Sequence, residues 1–253
     1  MALPANGDLP QDSSIVSRWK LDEQSGSRAD SVGSNTLTDN NTVSYGTGIS
    51  ELGASSTDAA DFEHENGEYF SVADNASLST SGDLTYFCWV NFETVPDGAT
   101  YSPANYVSFA NKWSASQRSW SFAYYSYSGF EDRLHISIAN NLSNDATGNV
   151  SWSPVTDTWY HLGFVYDASA GEVACYVDGV QQGTTMTGFP NSIPDGTEAL
   201  RIGEQVLAVE EFDGKMQDAI LWNAELSAAE VTDLYELYTV LPKTFTPRTI
   251  VIS

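Results

Sequence analysis

Apolar runs in this sequence alternate with a period of two. In residues 84–92, Leu84 and Cys88 fall on one side of an extended chain, while Phe87 and Trp89 fall on the other. This alternation is typical of a β-strand. Because both sides carry large apolar side chains, the run predicts an interior strand of a sandwich.

The same pattern recurs along the chain. Residues 159–167 and 172–178 are two alternating runs separated by a short polar turn, so they predict a β-hairpin. Further strand candidates are residues 15–21, 58–62, 69–73, 105–113, 119–127, 133–140, 200–203 and 212–222. Many short strands separated by Gly, Asn, Asp and Ser clusters predict an all-β fold of two antiparallel sheets, not a βαβ fold.

One short helix is predicted near the C-terminal end. Ser227 followed three residues later by Glu230 forms a capping-box pattern. Apolar residues at helical spacing lie around it and continue towards Pro242: Leu226, Val231, Leu234, Leu237 and Tyr238. We expect this helix to cover a sheet and to carry no chemistry.

The alternating core sets the predicted domain boundaries. Residues 14–241 are predicted to form one domain, flanked by extended arms at residues 1–13 and 242–253, where prolines punctuate the ends. The first ten residues have no basic segment and no apolar run typical of a secretion signal, so we expect none. No run reaches the roughly 20 apolar residues of a membrane span, so we expect no membrane insertion.

The charge balance restricts the partners. The 253 residues include 34 acidic and 10 basic side chains, a formal net charge of −24. Nucleic acids and anionic membranes are bound by clustered Lys and Arg, which this chain lacks, so we expect neither as a partner.

Few side chains suggest reactivity. Cys88 and Cys175 lie in predicted strands, and we expect buried free thiols, with a disulfide as the alternative. The histidines are scattered, and His161 lies in an aromatic strand. We expect it to be a hydrogen-bonded structural residue, with a zinc or catalytic role as the alternative.

Aromatic residues mark a candidate binding face. Alternation places Tyr125 and Tyr127 on one side of their strand, and it turns Arg133 and His135 away from the core on the next. Such a face could stack sugar rings and hydrogen-bond their hydroxyls, or its tyrosines could pack against a neighbouring subunit. The residues singled out for binding a glycan or a protein partner are Trp113, Trp120, Tyr125, Tyr127, Arg133 and His135.

Short landmarks occur in order along residues 14–240. They are Trp19-Lys20-Leu21-Asp22-Glu23, Ala60-Asp61-Phe62, Tyr69-Phe70-Ser71-Val72, Leu84-Thr85-Tyr86-Phe87-Cys88-Trp89-Val90, Trp159-Tyr160-His161-Leu162, Tyr176-Val177-Asp178-Gly179, Leu200-Arg201-Ile202-Gly203 and Phe212-Asp213-Gly214-Lys215-Met216-Gln217-Asp218. The ordered set resembles laminin-G-like, concanavalin A-like jelly-roll domains. The resemblance implies two curved antiparallel sheets packed face to face. Similar domains serve as lectins, adhesion modules, assembly domains and glycoside hydrolases.

The resemblance also bears on catalysis and on metal binding. Related glucanases carry two glutamates and an aspartate at alternate positions of one strand, and no Glu-x-Asp-x-Glu run occurs here, so we expect no enzymatic activity. Similar domains often hold calcium where the last strand approaches the start of the chain. This implies Asp218 as a ligand, with Asp22 or Asp30 nearby, and solvated loop acids are the alternative.

We therefore expect a non-catalytic recognition or structural domain that binds a glycan or a protein surface. The setting we expect is an accessory bacteriophage component, such as a capsid decoration or fibre, which contacts capsid or tail proteins at a virion or other extracellular surface. One alternative is a free carbohydrate-binding lectin. Another is an architectural subunit of a homo-oligomer.

Overall fold

The computed structural model describes residues 5–49, 58–96, 106–127, 130–205 and 211–239, without the side chains of positions 127, 130 and 131. Within these ranges the chain forms fifteen β-strands and one α-helix. The elements are β1 (Ile15–Trp19), β2 (Thr38–Asn40), β3 (Ser44–Thr47), β4 (Asp58–Phe62), β5 (Tyr69–Val72), β6 (Leu84–Phe92), β7 (Tyr106–Trp113), β8 (Arg118–Tyr127), β9 (Phe130–Asn141), β10 (Asn144–Ser151), β11 (Trp159–Asp167), β12 (Glu172–Val177), β13 (Val180–Thr187), β14 (Leu200–Ile202), β15 (Gly214–Trp222) and α1 (Ala228–Thr239). The helix found in these ranges is too short and too polar to cross a bilayer.

The strands form two antiparallel sheets. The front sheet has seven strands in the order β10-β9-β8-β7-β14-β5-β2. The back sheet has eight, in the order β13-β12-β11-β6-β15-β4-β3, and β1 pairs with the second half of β15 beyond β4. The prediction of an all-β, two-sheet jelly-roll sandwich is confirmed.

The core lies between the sheets, and a second apolar layer covers the back. On β6, Leu84 and Cys88 face the front sheet and belong to the central cluster. Phe87 and Trp89 face outwards and pack beneath α1 in the second cluster. The predicted alternation is therefore present, with both sides of the strand buried.

The predicted helix and its cap are confirmed. Helix α1 begins at Ala228, and the Ser227 side chain accepts the backbone N–H of Glu230 at 3.3 Å. The Glu230 carboxylate accepts the backbone N–H of Ser227 at 2.7 Å, which completes the capping box. Val231, Leu234 and Tyr238 are buried, so one face of α1 closes the outer side of the back sheet.

The hairpin of β11 and β12 is confirmed, and so are the free thiols. Cys88 lies on β6 and Cys175 on β12, with β11 between those strands. Both are buried in the central cluster, and burial raises the pKa of each thiol to about 12. The thiols are therefore protonated, and their role is packing.

The described part of the predicted N-terminal arm, residues 5–13, is packed and not extended. Leu9 is buried in the second cluster, and the indole N–H of Trp222 donates to the Pro10 carbonyl at 3.0 Å. The side chain of Gln11 donates to the Glu225 carbonyl at 2.9 Å. The segment folds back because the back sheet leaves apolar surface around Trp222 that Leu9 covers. The predicted C-terminal arm, residues 242–253, lies outside the described residues.

His161 is structural, but the expectation that it is hydrogen-bonded was wrong. The residue is 1% exposed on β11, under α1. Within the described part of the chain, neither ring nitrogen has a hydrogen-bond partner. The reason is its surroundings, which are aromatic: Phe87, Trp89, Tyr235 and Tyr238.

Candidate functional site

The outer face of the front sheet carries the predicted aromatic and polar residues. Register pairs Tyr125 of β8 with Tyr106 of β7 on one side and with Arg133 of β9 on the other. Side chains two positions apart on a strand share a face, so His135, two residues after Arg133, points the same way. The alternate residues of β8 and β9, such as Phe122 and Ile136, fill the central core.

Tyr106, Tyr125 and His135 form one aromatic cluster. The two tyrosine rings stack with centroids 6.1 Å apart and planes 19° apart. The His135 ring meets Tyr125 at 5.2 Å and Tyr106 at 5.8 Å, both nearly edge-on. Because the rings contact one another in the arrangements that aromatic quadrupoles favour, the cluster is held in one geometry.

Neutral polar groups surround the aromatic cluster. His135 Nδ1 lies 2.9 Å from the Asn149 side-chain oxygen, and Nε2 lies 3.0 Å from the Ser137 hydroxyl. The Tyr106 and Ser121 hydroxyls are 3.0 Å apart. These contacts suit a singly protonated imidazole, whose Nδ1–H donates to Asn149 while Nε2 accepts from Ser137.

Burial sets the charge of this cluster. Burial lowers the pKa of His135 below its ordinary value of 6.5, and this exceeds the opposing effect of the hydrogen bond to Asn149. The ring is therefore neutral at pH 7, in agreement with its two neutral hydrogen-bond partners.

The middle of this face is filled by the residues that follow β14. The Gln205 amide donates to the Ser121 hydroxyl at 3.1 Å. The Asn111 amide donates to the Glu204 carbonyl at 2.7 Å. The guanidinium of Arg201, on β14 itself, lies 4.8 Å from the centroid of the Tyr69 ring. Ser121 and Asn111 are consequently buried, and Tyr125 is 7% exposed. The partly accessible residues of the face are Tyr106, His135, Arg133 and Asn149.

The structure brings together three of the six predicted binding residues: Tyr125, Arg133 and His135. Trp113 lies on the same sheet but seven residues along β7 from Tyr106, which is about 23 Å in an extended strand. Its ring is covered by the Arg118 guanidinium at 5.2 Å. The side chain of Tyr127 lies outside the described residues.

Trp120 is not part of the face. It is 1% exposed and belongs to the central core, where its ring packs 5.9 Å from Tyr86 and 5.8 Å from Phe164. It lies opposite Tyr125 because the two residues are five positions apart on one strand. Trp120 is therefore withdrawn as a binding residue.

Sequence reasoning missed Tyr106, Asn149 and Gln205. Tyr106 is the first residue of β7, and a bulge between Ser108 and Ala110 interrupts the alternation that would have placed it. Asn149 lies on a polar edge strand without an apolar pattern. Gln205 lies in the segment after β14, outside any strand, and the sequence has no local signal for its contact with Ser121.

Asp218, the first predicted calcium ligand, lies in a buried ion pair. Arg18 Nε donates to one carboxylate oxygen at 2.6 Å, and Arg18 Nη2 donates to the other at 2.7 Å. The Tyr238 hydroxyl donates to the second oxygen as well. Arg18 thus supplies the positive charge that the buried carboxylate needs.

The other two predicted ligands lie in the loop after β1. The Asp30 carboxylate accepts backbone N–H groups of Val32 at 3.0 Å and Gly33 at 2.9 Å, so it organises the turn. Burial, and then the neighbouring charge of Glu23, raise the pKa of Asp22. Calcium binding by these residues stays a prediction.

A further acidic group is formed by Asp61, Glu63 and Glu93. Each offers an oxygen within 4.8 Å of the others, close enough to share a metal ion. Lys215 contacts both Asp61 and Glu93, so the group already has a counter-charge. These ion pairs explain why Asp61 and Glu93 lie close together.

Solved structures share the fold at low sequence identity. Domain 4 of the extracellular arabinanase AbnA from Geobacillus stearothermophilus, solved in complex with arabinotriose, matches with a TM-score of 0.61 and 18% identity, over 88% of this chain and 98% of that one. The binding domain of Paraclostridial Mosquitocidal Protein 1 matches with a TM-score of 0.70 and 13% identity, over 89% of this chain and 52% of that one.

A third match is botulinum neurotoxin type C, from a structure whose report describes cell entry as dependent on interaction with two ganglioside molecules. It has a TM-score of 0.63 and 11% identity, over 88% of this chain and 51% of that one. The chain thus spans about half the length of the toxin chains. At these identities the likeness concerns the fold.

No curated protein matches the sequence. The family model of the concanavalin A-like lectin/glucanases superfamily matches residues 64–232, which run from the segment before β5 into α1. The match and the two-sheet architecture agree, and the chain belongs to the concanavalin A-like lectin/glucanases superfamily.

Proposed function

We propose that this chain is a glycan-binding domain that uses the aromatic cluster of the front sheet. The observation that carries the proposal is the arrangement of Tyr106, Tyr125 and His135 beside the Asn149 amide and the Arg133 side chain. Sugars present hydroxyls beside apolar C–H groups, and a fixed aromatic surface rimmed by amide and hydroxyl groups offers both kinds of contact.

Two of the related structures support this proposal. The arabinanase domain was solved with arabinotriose, and the botulinum toxin structure concerns interaction with gangliosides. Both ligands contain carbohydrate, and the arabinanase domain, matched over 98% of its length, is the stronger support, since the match covers 51% of the toxin chain. A shared fold does not transfer a ligand, so the support lies in the combination of this fold with the aromatic cluster.

We also propose that the domain is non-catalytic. Glycoside hydrolysis commonly needs two carboxyl groups facing each other across the scissile bond. The Glu204 carboxylate near the face pairs with Arg201 at 2.6 Å, and Asp145 pairs with Arg118 at 2.5 Å. Both carboxylates are therefore engaged in ion pairs, which supports a non-catalytic role. Incubation with oligosaccharides that bind, followed by analysis of the products, tests this. Released fragments would contradict it.

Binding of an immobilised oligosaccharide panel tests the main proposal. Asn149→Ala should reduce the affinity for a bound glycan at least about tenfold, since it removes a polar contact and the partner that orients His135. Tyr106→Ala should do the same. Tyr45→Ala is the matched control, because Tyr45 is 47% exposed on β3 of the back sheet. Equal binding by all four proteins would reject the aromatic cluster as the site.

As for setting, we propose an accessory role at a virion or other extracellular surface, in contact with capsid or tail proteins. The acidic, non-catalytic recognition domain suits such a role. Co-purification of the chain with intact particles tests this. Light scattering tests the rival reading of an architectural homo-oligomer, which predicts a defined assembly of several copies.

A further inference from the structure

We infer that the glycan recognised by the aromatic cluster is an uncharged oligosaccharide and not a sialylated or uronic-acid-containing one. This inference rests on the proposed function and narrows its ligand class.

The groups next to the aromatic cluster are neutral. Asn149 and Ser137 hydrogen-bond His135, and Ser121 is shared by Tyr106 and Gln205. Amides and hydroxyls both donate and accept, which matches the hydroxyls of a neutral sugar. A carboxylate only accepts, and it is bound best by charged donors.

The imidazole in the cluster is also neutral. Each nitrogen of His135 lies within 3.0 Å of an uncharged partner, and the ring is partly buried between tyrosines. Protonation would turn Nε2 into a donor and would leave a positive charge in this desolvated position. His135 therefore supplies no cation to an acidic sugar at pH 7.

Two further arginines of the front sheet are already paired with carboxylates. Arg118 pairs with Asp145 at 2.5 Å and stacks on Trp113. Arg201 pairs with Glu204 at 2.6 Å and stacks on Tyr69. An acidic sugar could use either cation only by displacing the resident carboxylate. Arg133 is the other cation on the described part of this face, and it is partly exposed.

The whole chain opposes an anion as well. Its net charge of −24 disfavours the approach of a carboxylate at low salt. Screening confines this repulsion to about 8 Å at physiological ionic strength, so it acts on a ligand at the surface. A neutral glycan does not experience this electrostatic repulsion.

Matched glycan pairs provide the test. An array should carry the same neutral oligosaccharides with and without one terminal sialic acid or one uronic acid, probed with the full chain at 50 mM and 500 mM NaCl. We expect the neutral member of each binding pair to bind at least about tenfold more tightly at 50 mM salt, because like charges repel. We expect its affinity to change less than about twofold with salt, because no ion pair forms with it.

Preferential binding of the acidic members would overturn the inference and leave the proposed function intact. Binding of no glycan on the array would reject both. Arg133→Gln distinguishes recognition of a neutral glycan from recognition of an acidic one. If Arg133 binds the acidic group, the variant loses affinity for the acidic members only. A loss shared by both members of each pair supports the inference.

Discussion

At the scale of single residues, His161 is the least ordinary buried group. Its imidazole stacks on Phe87 at 5.0 Å and contacts Trp89 at 5.1 Å, and both ring nitrogens lack hydrogen-bond partners within the described chain. Burial lowers its pKa to about 3. The ring therefore acts as an aromatic packing residue, tolerated only while it is neutral.

This burial predicts a pH dependence of stability. The unfolded chain takes up a proton on His161 below pH 6.5, whereas the folded chain does so near pH 3, so stability falls as the pH drops between these values. The loss from this residue should be about 2 kcal/mol between pH 7 and pH 5. Urea unfolding of the wild type and of His161→Phe at both pH values measures it. A difference between the two proteins that does not change with pH would contradict the prediction.

The Arg18–Asp218 pair is a second buried feature at this scale. Both side chains are fully buried, and the two hydrogen bonds between them are 2.6 Å and 2.7 Å long. Asp218→Asn should lower the free energy of unfolding by about 3–5 kcal/mol, because it leaves a buried guanidinium without its counter-charge. Chemical denaturation measures this. Asp233→Asn, on the exposed side of α1, is the control and should change stability by less than about 0.5 kcal/mol.

A double variant distinguishes loss of charge compensation from loss of packing. Arg18→Met combined with Asp218→Leu removes both charges and should recover most of the lost stability. If the double variant is as unstable as Asp218→Asn, the loss comes from packing and not from an uncompensated charge.

At the scale of elements, alternation predicted the interior strands and missed the edges. The four strands that the sequence did not predict are β2, β3, β10 and β13, and each lies at an end of one sheet. Edge strands such as β13 are largely exposed, so they need no apolar period. The interior strand β6 is buried along its whole length, and its pattern is the clearest in the chain.

The candidate site was predictable to the same extent. Tyr125 and His135 lie on long regular strands whose alternation shows which side they occupy. Tyr106 lies beside a bulge, and Gln205 arrives from a loop, so neither position follows from a local pattern. Trp120 shows a further limit, because on a strand with aromatic residues on both sides, size does not distinguish core from surface.

We propose calcium binding by the loop after β1. Asp22 is half-buried beside Glu23, so a divalent cation would relieve their repulsion. We expect calcium at about 100 times its dissociation constant to raise the free energy of unfolding by about 2.7 kcal/mol over a chelated sample. Asp22→Asn should remove this difference. Identical melting curves with calcium and with chelator would reject the site.

At the scale of the whole molecule, the two outer faces of the sandwich differ in how far they are covered. The outer face of the back sheet is closed by α1 and by residues such as Leu9, which bury its aromatic side chains. The outer face of the front sheet keeps Tyr106, Arg133 and His135 partly accessible. The position of the helix therefore supports the front sheet as the proposed binding surface as much as the aromatic residues do.

The net charge predicts how the melting temperature depends on salt. With 34 acidic and 10 basic residues, the folded chain gathers like charges that the unfolded chain holds farther apart. Raising NaCl from 10 to 150 mM shortens the screening length from about 30 Å to about 8 Å, and we expect the melting temperature to rise by about 2–4 °C, which corresponds to about 1 kcal/mol for a domain of this size. The rise should level off above 150 mM, because most of the repulsion is then already screened. A specific salt effect on apolar surface would instead keep growing. A flat or falling melting temperature over the low-salt range would mean that local ion pairs such as Lys215 with Asp61 and Glu93 outweigh the general repulsion.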